Sequence, residues 1–131
     1  MAFDQFKDTL KNSENPLFIT IGSQWSNKTG CTELLPYIAS KHALNLFTRQ
    51  KAIMNPLLKI SNYCVPTMET PAYRRVKESF SKVYHSNDQN AFSKELADAS
   101  VVAKHLVAHL HDGQHTSGIY SISATGHIRK I

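Results

Sequence analysis

Apolar residues along the chain alternate between helix-like spacing and short continuous runs. Phe3, Phe6 and Leu10 recur at helical spacing, which predicts a short amphipathic helix at the start of the chain. Leu17–Ile21 is a short apolar, β-branched run that closes on a glycine and a serine. Such a run is typical of a buried strand, and the polar residues 24–36 after it predict a loop.

The same alternation continues to the end of the chain. Residues 37–55 and 97–111 carry apolar stripes at helical spacing, and the polar residues 74–90 predict one or two mobile helices. Residues 59–65 and 118–123 predict two further strands. Strands separated by helices favour a parallel sheet. The predicted fold class is therefore α/β, a partial Rossmann-like parallel sheet of about three strands with flanking helices.

Length and charge narrow the class of protein. The chain has 131 residues, 41% of them hydrophobic, which suits a single domain over residues 1–131 with its own core. Fifteen basic residues against ten acidic ones leave a net charge of +5. The basic residues are dispersed, with adjacent pairs only at Arg74–Arg75 and Arg129–Lys130. We therefore expect a solvated surface rather than a nucleic-acid interface, and no membrane-spanning segment.

The expected compartment follows from the first residues and the cysteines. Residues 1–16 carry acids and polar groups where a signal peptide would be apolar. Cys31 and Cys64 form no CxxC pair, which favours free structural thiols in a reducing compartment. The sequence predicts a cytoplasmic protein.

Three residues could share one catalytic cleft. Tyr37 and Lys41 are four positions apart on a predicted helix, so they lie on the same helical face. An ammonium group near a phenol stabilises the phenolate, which suits tyrosine to general acid–base chemistry. Ser23 follows the preceding strand, where its hydroxyl could bind a substrate oxygen. A tyrosine and a lysine at this spacing are common by chance, so the pair alone favours a solvated helix surface.

Other side chains carry weaker indications. His105, His109, His111 and His115 invite a metal site, since the first two are one helical turn apart. No cysteine or acidic residue except Asp112 lies at a convincing partner position, and His105 and His109 flank the apolar stripe. We therefore expect solvated or hydrogen-bonded histidines and no metal. Trp25 could either line a substrate pocket or anchor its loop.

Four segments, in this order, resemble the short-chain dehydrogenase/reductase family over nearly the whole chain. Phe18–Ser23 resembles the strand that ends in the family's serine, and Tyr37–Leu44 is similar to its active-site helix signature. Asn62–Thr70 resembles the loop beside the nicotinamide, with Thr67 in place of the usual glycine, and Gly118–Ser123 resembles the last strand. The chain thus resembles the C-terminal half of that family.

The resemblance implies an activity and the roles of five residues. In the family, reversible hydride transfer runs between NAD or NADP and an alcohol or carbonyl. Tyr37 would be the proton donor or acceptor, Lys41 would hold the nicotinamide ribose and tune Tyr37, and Ser23 would orient the substrate carbonyl. Pro66 and Thr70 would lie beside the nicotinamide.

The sequence lacks the glycine-rich turn that receives a dinucleotide's pyrophosphate. We therefore expect the chain alone to bind NAD(P) poorly, and to form either a homo-oligomer or a complex with a partner chain that supplies the N-terminal half. The alternatives are a non-catalytic interaction or dimerisation subunit derived from the same fold, or a piece of a longer enzyme. Neither cofactor is favoured, because the family's selecting residues belong to that other half.

Overall fold

The computed structural model describes residues 2–29, 34–84, 96–113 and 115–131. Five helical segments and four strands follow one another along them. They are α1 (Ala2–Lys11), β1 (Leu17–Ser23), a short 3₁₀ helix (Gln24–Asn27), α2 (Leu35–Met54), β2 (Lys59–Val65), α3 (Pro71–Tyr84), α4 (Ala99–His111), β3 (Gly118–Ile122) and β4 (Ile128–Lys130). In this part of the chain no helix is both long and apolar enough to cross a membrane.

The sheet has the order β1-β2-β3-β4. The first three strands are parallel, with Leu17 opposite Lys59 and Ser61 opposite Gly118. The predicted α/β class, a mostly parallel sheet with flanking helices, is confirmed. Strand β4 was not predicted. It pairs antiparallel with β3 after a tight turn. Strand β4 has only three residues, two of them charged, so it contains no apolar run that would predict a strand.

Some predicted boundaries were wrong. Helix α2 begins at Leu35, before Tyr37, because a proline is well suited to a helix's first turn. Helix α3 begins at Pro71, three residues before the predicted helical stretch that starts at residue 74. The prediction for residues 85–90 lies outside the described residues. Helix α4 begins after Asp98, whose carboxylate accepts a hydrogen bond from the Ser100 amide and caps the helix.

Two apolar clusters hold helices to the sheet. On one face, Tyr63 and Tyr120 stack at 5.0 Å between ring centroids and pack with Val102 of α4. In the other cluster, Phe3 anchors α1 with its ring edge-on to Phe18, at a centroid distance of 5.1 Å. These contacts carry most of the burial of α4 and α1.

A buried polar network joins α2 to the sheet. The Thr20 hydroxyl donates to Asn62 Oδ1 at 2.9 Å and lies 3.3 Å from the Thr48 hydroxyl. The Asn62 amide donates to Asn45 Oδ1, and Asn45 Nδ2 donates to Ser26 Oγ at 2.9 Å. Because buried polar groups are costly unless paired, this network specifies the position of α2 over β1 and β2.

Candidate functional site

The candidate site lies where the parallel strands end. Ser23 is the last residue of β1, and Val65 is the last residue of β2. Helix α2 crosses back over the sheet, so Tyr37 in its first turn lies at the same edge. In open α/β sheets ligands bind outside the carboxyl ends of the strands. The topology therefore brings Ser23 and Tyr37 to the edge where a ligand is expected.

A cavity of about 450 Å³ opens at this edge. Four of the five residues singled out in the sequence line it: Ser23, Tyr37, Pro66 and Thr70. They come from β1, from α2 and from the loop after β2. Lys41 does not line the cavity and lies one turn further along α2.

The ammonium group of Lys41 lies near the ring of Tyr37. Lys41 Nζ is 5.9 Å from the centroid of that ring and donates a hydrogen bond to the carbonyl oxygen of Ile21 at 3.3 Å. Lys41 therefore connects α2 to β1 directly behind the cavity. The Tyr37 side chain is 44% exposed, so solvent or a ligand can reach it.

Ser23 is buried and has a structural partner. Its Oγ accepts a hydrogen bond from the Trp25 amide at 3.1 Å and so caps the 3₁₀ helix. A hydroxyl that accepts from a backbone amide still has a hydrogen to donate. Ser23 can therefore hold the 3₁₀ helix in place and donate to an oxygen in the cavity.

Trp25 has both of the roles that the sequence left open. Its indole Nε1 donates to Thr67 Oγ1 at 3.0 Å, which ties the 3₁₀ helix to the loop after β2. The same side chain lines the cavity. The bond between Trp25 and Thr67 spans 42 positions of sequence, and no local pattern indicates it.

The remaining wall of the cavity is apolar, and sequence reasoning missed it. It includes side chains from α3 and from the ends of the neighbouring segments: Leu34, Val65, Met68, Ala72 and Val76. Residues 71–84 looked polar and nondescript as a sequence. The i, i+4 spacing of Ala72 and Val76 was the available signal, since these positions share one face of a helix.

The loop that carries Pro66 and Thr70 is fastened at both ends. Thr70 Oγ1 accepts a hydrogen bond from the Tyr73 amide at 3.1 Å, in the first turn of α3. Met68 forms an isolated bridge with Ala97, which precedes α4. These bonds hold the loop beside the cavity.

Beneath the site, Gly22 and Cys64 have packing roles. A Cβ atom at Gly22 would lie 2.5 Å from Asn62 Nδ2, so only glycine leaves room for the polar network. Cys64 is buried, and burial raises the pKa of its thiol. Because the thiolate is the nucleophilic form, a buried thiol with a raised pKa is a poor nucleophile. This agrees with the structural role expected from the sequence. Cys31 lies outside the described residues.

The family resemblance assigns four residues to the nicotinamide end of a dinucleotide. Of these, Tyr37, Pro66 and Thr70 line the cavity, and Lys41 lies outside its lining. In the described ranges, β1 leads into a four-residue 3₁₀ helix, and no strand leads into a glycine-rich turn and a helix. A pyrophosphate therefore has no cradle in this part of the protein.

The histidines of α4 and the segment after it do not converge on a metal. Within the described residues no group of three histidine, cysteine or acidic side chains is arranged to hold an ion. The ring of His109 lies edge-on to Tyr120, with centroids 5.2 Å apart, and His115 is buried beside it. His105 and His111 are exposed.

The imidazole of His115 is buried. Its two ring nitrogens, His109 Nε2 and the Tyr63 hydroxyl are buried with no hydrogen-bond partner among the described residues. Burial, reinforced by Lys59 and His109 and opposed by Asp112, lowers the pKa of His115. The neutral imidazole is therefore the form that the fold accommodates.

We expect the free energy of unfolding to fall as the pH drops below about 6.5, the ordinary histidine pKa. With a lowered pKa in the folded state, the unfolded chain takes up the proton first, so the stability is complete above that pH and is lost on acidification. Urea unfolding of wild type, His115→Gln and the exposed-site control His111→Gln across this range measures it. The loss of unfolding free energy on acidification should be smaller in His115→Gln than in wild type and unchanged in His111→Gln. If His115→Gln lost as much as wild type, the pH dependence would not come from His115.

No protein family model matches the chain, and no curated protein matches it significantly.

Proposed function

We propose that this chain is the substrate-side half of a short-chain dehydrogenase/reductase-type oxidoreductase. The observation that carries the proposal is convergence. Ser23, Tyr37, Pro66 and Thr70 are up to 47 positions apart in sequence, yet they line one cavity at the carboxyl ends of parallel strands. A chance tyrosine–lysine pair on a helix would not require the serine and the loop to lie around the same cavity.

Each residue has a distinct role in the proposed reaction. Tyr37 exchanges a proton with the oxygen of an alcohol or carbonyl substrate, and Ser23 donates a hydrogen bond to the same oxygen. Lys41, whose ammonium lies 5.9 Å from the centroid of the Tyr37 ring and donates to the Ile21 carbonyl, holds a positive charge beside Tyr37 and fixes α2 against β1. NAD or NADP, when bound, supplies or accepts the hydride.

The proposal requires another chain to hold the adenine and pyrophosphate of the cofactor. Support comes from β1, which pairs with β2 on one side and forms the edge of the described sheet. Ile21 on this edge and Leu35, Leu46 and Ile53 on α2 are exposed apolar side chains. Unpaired apolar edges and faces of this kind favour association. The free thiol of Cys64 fits the proposed cytoplasmic location.

A second candidate function is a non-catalytic interaction subunit. The same exposed surfaces on β1 and α2 favour it, because an assembly role needs no cofactor. The two functions differ in whether Tyr37 must keep its hydroxyl group.

We expect the purified chain alone to show no saturable binding of NADH or NADPH by calorimetry at roughly millimolar cofactor, a free energy weaker than about 4 kcal/mol. The physical reason is the missing pyrophosphate cradle. Sedimentation of the same sample reports whether the chain self-associates. Saturable binding at tens of micromolar would contradict the assignment of the nucleotide-binding half to another chain.

The proposed function itself is tested on the assembled protein. The tagged chain, isolated with its bound partners, is assayed for absorbance changes of NADH and NADPH with uncharged alcohols and carbonyls. Turnover that depends on the Tyr37 hydroxyl supports the oxidoreductase. Absence of turnover from an assembly that does bind NAD(P) favours the interaction subunit.

A further inference from the structure

The wall of the cavity carries no charge. Among the described residues that line it there is no aspartate, glutamate, lysine, arginine or histidine. A charged ligand would exchange contact with water for a largely apolar lining that offers no countercharge among its described residues, which is unfavourable. The cavity therefore selects against carboxylates, phosphates and amines.

The polar groups of the cavity are mostly committed to the protein. Thr67 Oγ1 accepts from the Trp25 indole, and Thr70 Oγ1 accepts from the Tyr73 amide. Ser23 and Tyr37 remain on the side formed by β1 and α2, where one ligand oxygen can be bound. Helix α3 contributes Ala72, Tyr73 and Val76 to the lining, which is mostly apolar. A complementary ligand has one polar end and an apolar body.

The size of the cavity sets the size of that body. Its volume is about 450 Å³. An apolar cavity of about 150 Å³ holds one benzene molecule, so this one has room for a substantially larger group. It also falls within the usual range for small-molecule pockets.

We propose that the substrate is an uncharged, apolar alcohol or carbonyl compound of medium size, with its oxygen between Ser23 and Tyr37 and its hydrocarbon body against α3. This inference names the substrate class of the same cavity and rests on the proposed function. The absence of charged side chains among the described lining residues and the mostly apolar character of that lining carry it.

The chain contains an internal probe for this ligand. Trp25 is its single tryptophan and lines the cavity, so its fluorescence reports occupancy without cofactor or turnover. Titration of the purified chain with octanol and octanone is expected to give a saturable change in Trp25 emission. Octanoate, which has the same chain length and a negative charge, is expected to bind at least roughly tenfold more weakly. Equal or tighter binding of octanoate, or no saturable change with either uncharged ligand, would overturn the proposal.

A matched pair of variants locates the binding. Val76 and Val107 are 49% and 52% exposed and lie within α3 and α4, but only Val76 lines the cavity. Val76→Lys places a cation at the apolar wall and is expected to shift the octanol-to-octanoate preference toward octanoate by about two- to fivefold, the effect of a surface ion pair. Val107→Lys should leave the preference unchanged. An equal shift in both variants would mean that the ligand binds elsewhere.

The titration and the turnover assay separate two kinds of failure. If only charged ligands bind while turnover depends on Tyr37, the substrate class is wrong and the oxidoreductase proposal stands. If octanol binds as expected while Tyr37→Phe leaves turnover intact, the apolar cavity is correct and the proposed chemistry is wrong.

Discussion

Replacing Tyr37 with phenylalanine is expected to lower kcat of the assembled protein by about 10²–10⁴-fold, the usual contribution of a general acid or base. Phenylalanine keeps an aromatic ring in the cavity and near Lys41, but it has no proton to exchange with the substrate oxygen. Binding of an apolar substrate should change only a few-fold, because one hydrogen bond is lost. Steady-state kinetics on the assembly, with kcat and KM reported separately, measures the effect.

Tyr63→Phe is the matched control for that experiment. Tyr63 is buried in the sheet and does not line the cavity. In the part of the chain that the structure describes, its hydroxyl has no hydrogen-bond partner. Burial raises the pKa of Tyr63, so its hydroxyl stays protonated and takes no part in acid–base chemistry near neutral pH. Removing that hydroxyl should leave kcat at the wild-type value. If Tyr37→Phe kept the wild-type kcat, Tyr37 would not be the acid or base of the reaction, and the proposed function would be wrong.

The second large effect is on stability. Phe3→Ala is expected to lower the free energy of unfolding by about 3–5 kcal/mol, the usual cost of deleting a buried aromatic ring. The Phe3 side chain is 1% exposed and packs edge-on against Phe18 and Phe47, with centroids 5.1 and 6.2 Å away. Its loss leaves a cavity between α1 and β1 and uncovers both partner rings. Urea unfolding at neutral pH measures the change.

Phe6→Ala tests whether the effect belongs to the buried position. Phe6 lies on the same helix, one turn away, and is 57% exposed. An exposed position away from the core should change stability by less than about 0.5 kcal/mol. Equal losses from the two substitutions would mean that α1 does not pack on the sheet as described.

Local sequence was sufficient for the strands with apolar runs and for most of the helices. Leu17–Ser23 and Lys59–Val65 became neighbouring parallel strands, because helices between strands leave few other ways to cover both faces of a sheet. Local sequence was insufficient to predict β4, because the pairing of β4 with β3 depends on the turn between them. It also placed the start of α3 too late, since the polar residues around Pro71 carry no strong periodic signal.

The site shows the same division at the level of single residues. Tyr37 and Lys41 could be paired from their spacing, and Ser23 could be placed at a strand end, because both follow from local geometry. The Trp25–Thr67 bond and the apolar wall of α3 could not, since they join segments that meet only after the sheet and helices have packed.

By itself, then, the sequence determined the alternation of helices and strands, the class of the fold and the residues able to perform acid–base chemistry. Those properties depend on neighbours within a few positions, where backbone geometry and side-chain periodicity act. Only the tertiary structure decided that Ser23, Tyr37, Pro66 and Thr70 share one cavity with no charged side chain in its described lining. It also decided that the His115 ring is buried with no hydrogen-bond partner among the described residues. Burial and convergence depend on which distant segments come to cover a residue, and α3 and α4 take those positions only once the sheet has formed.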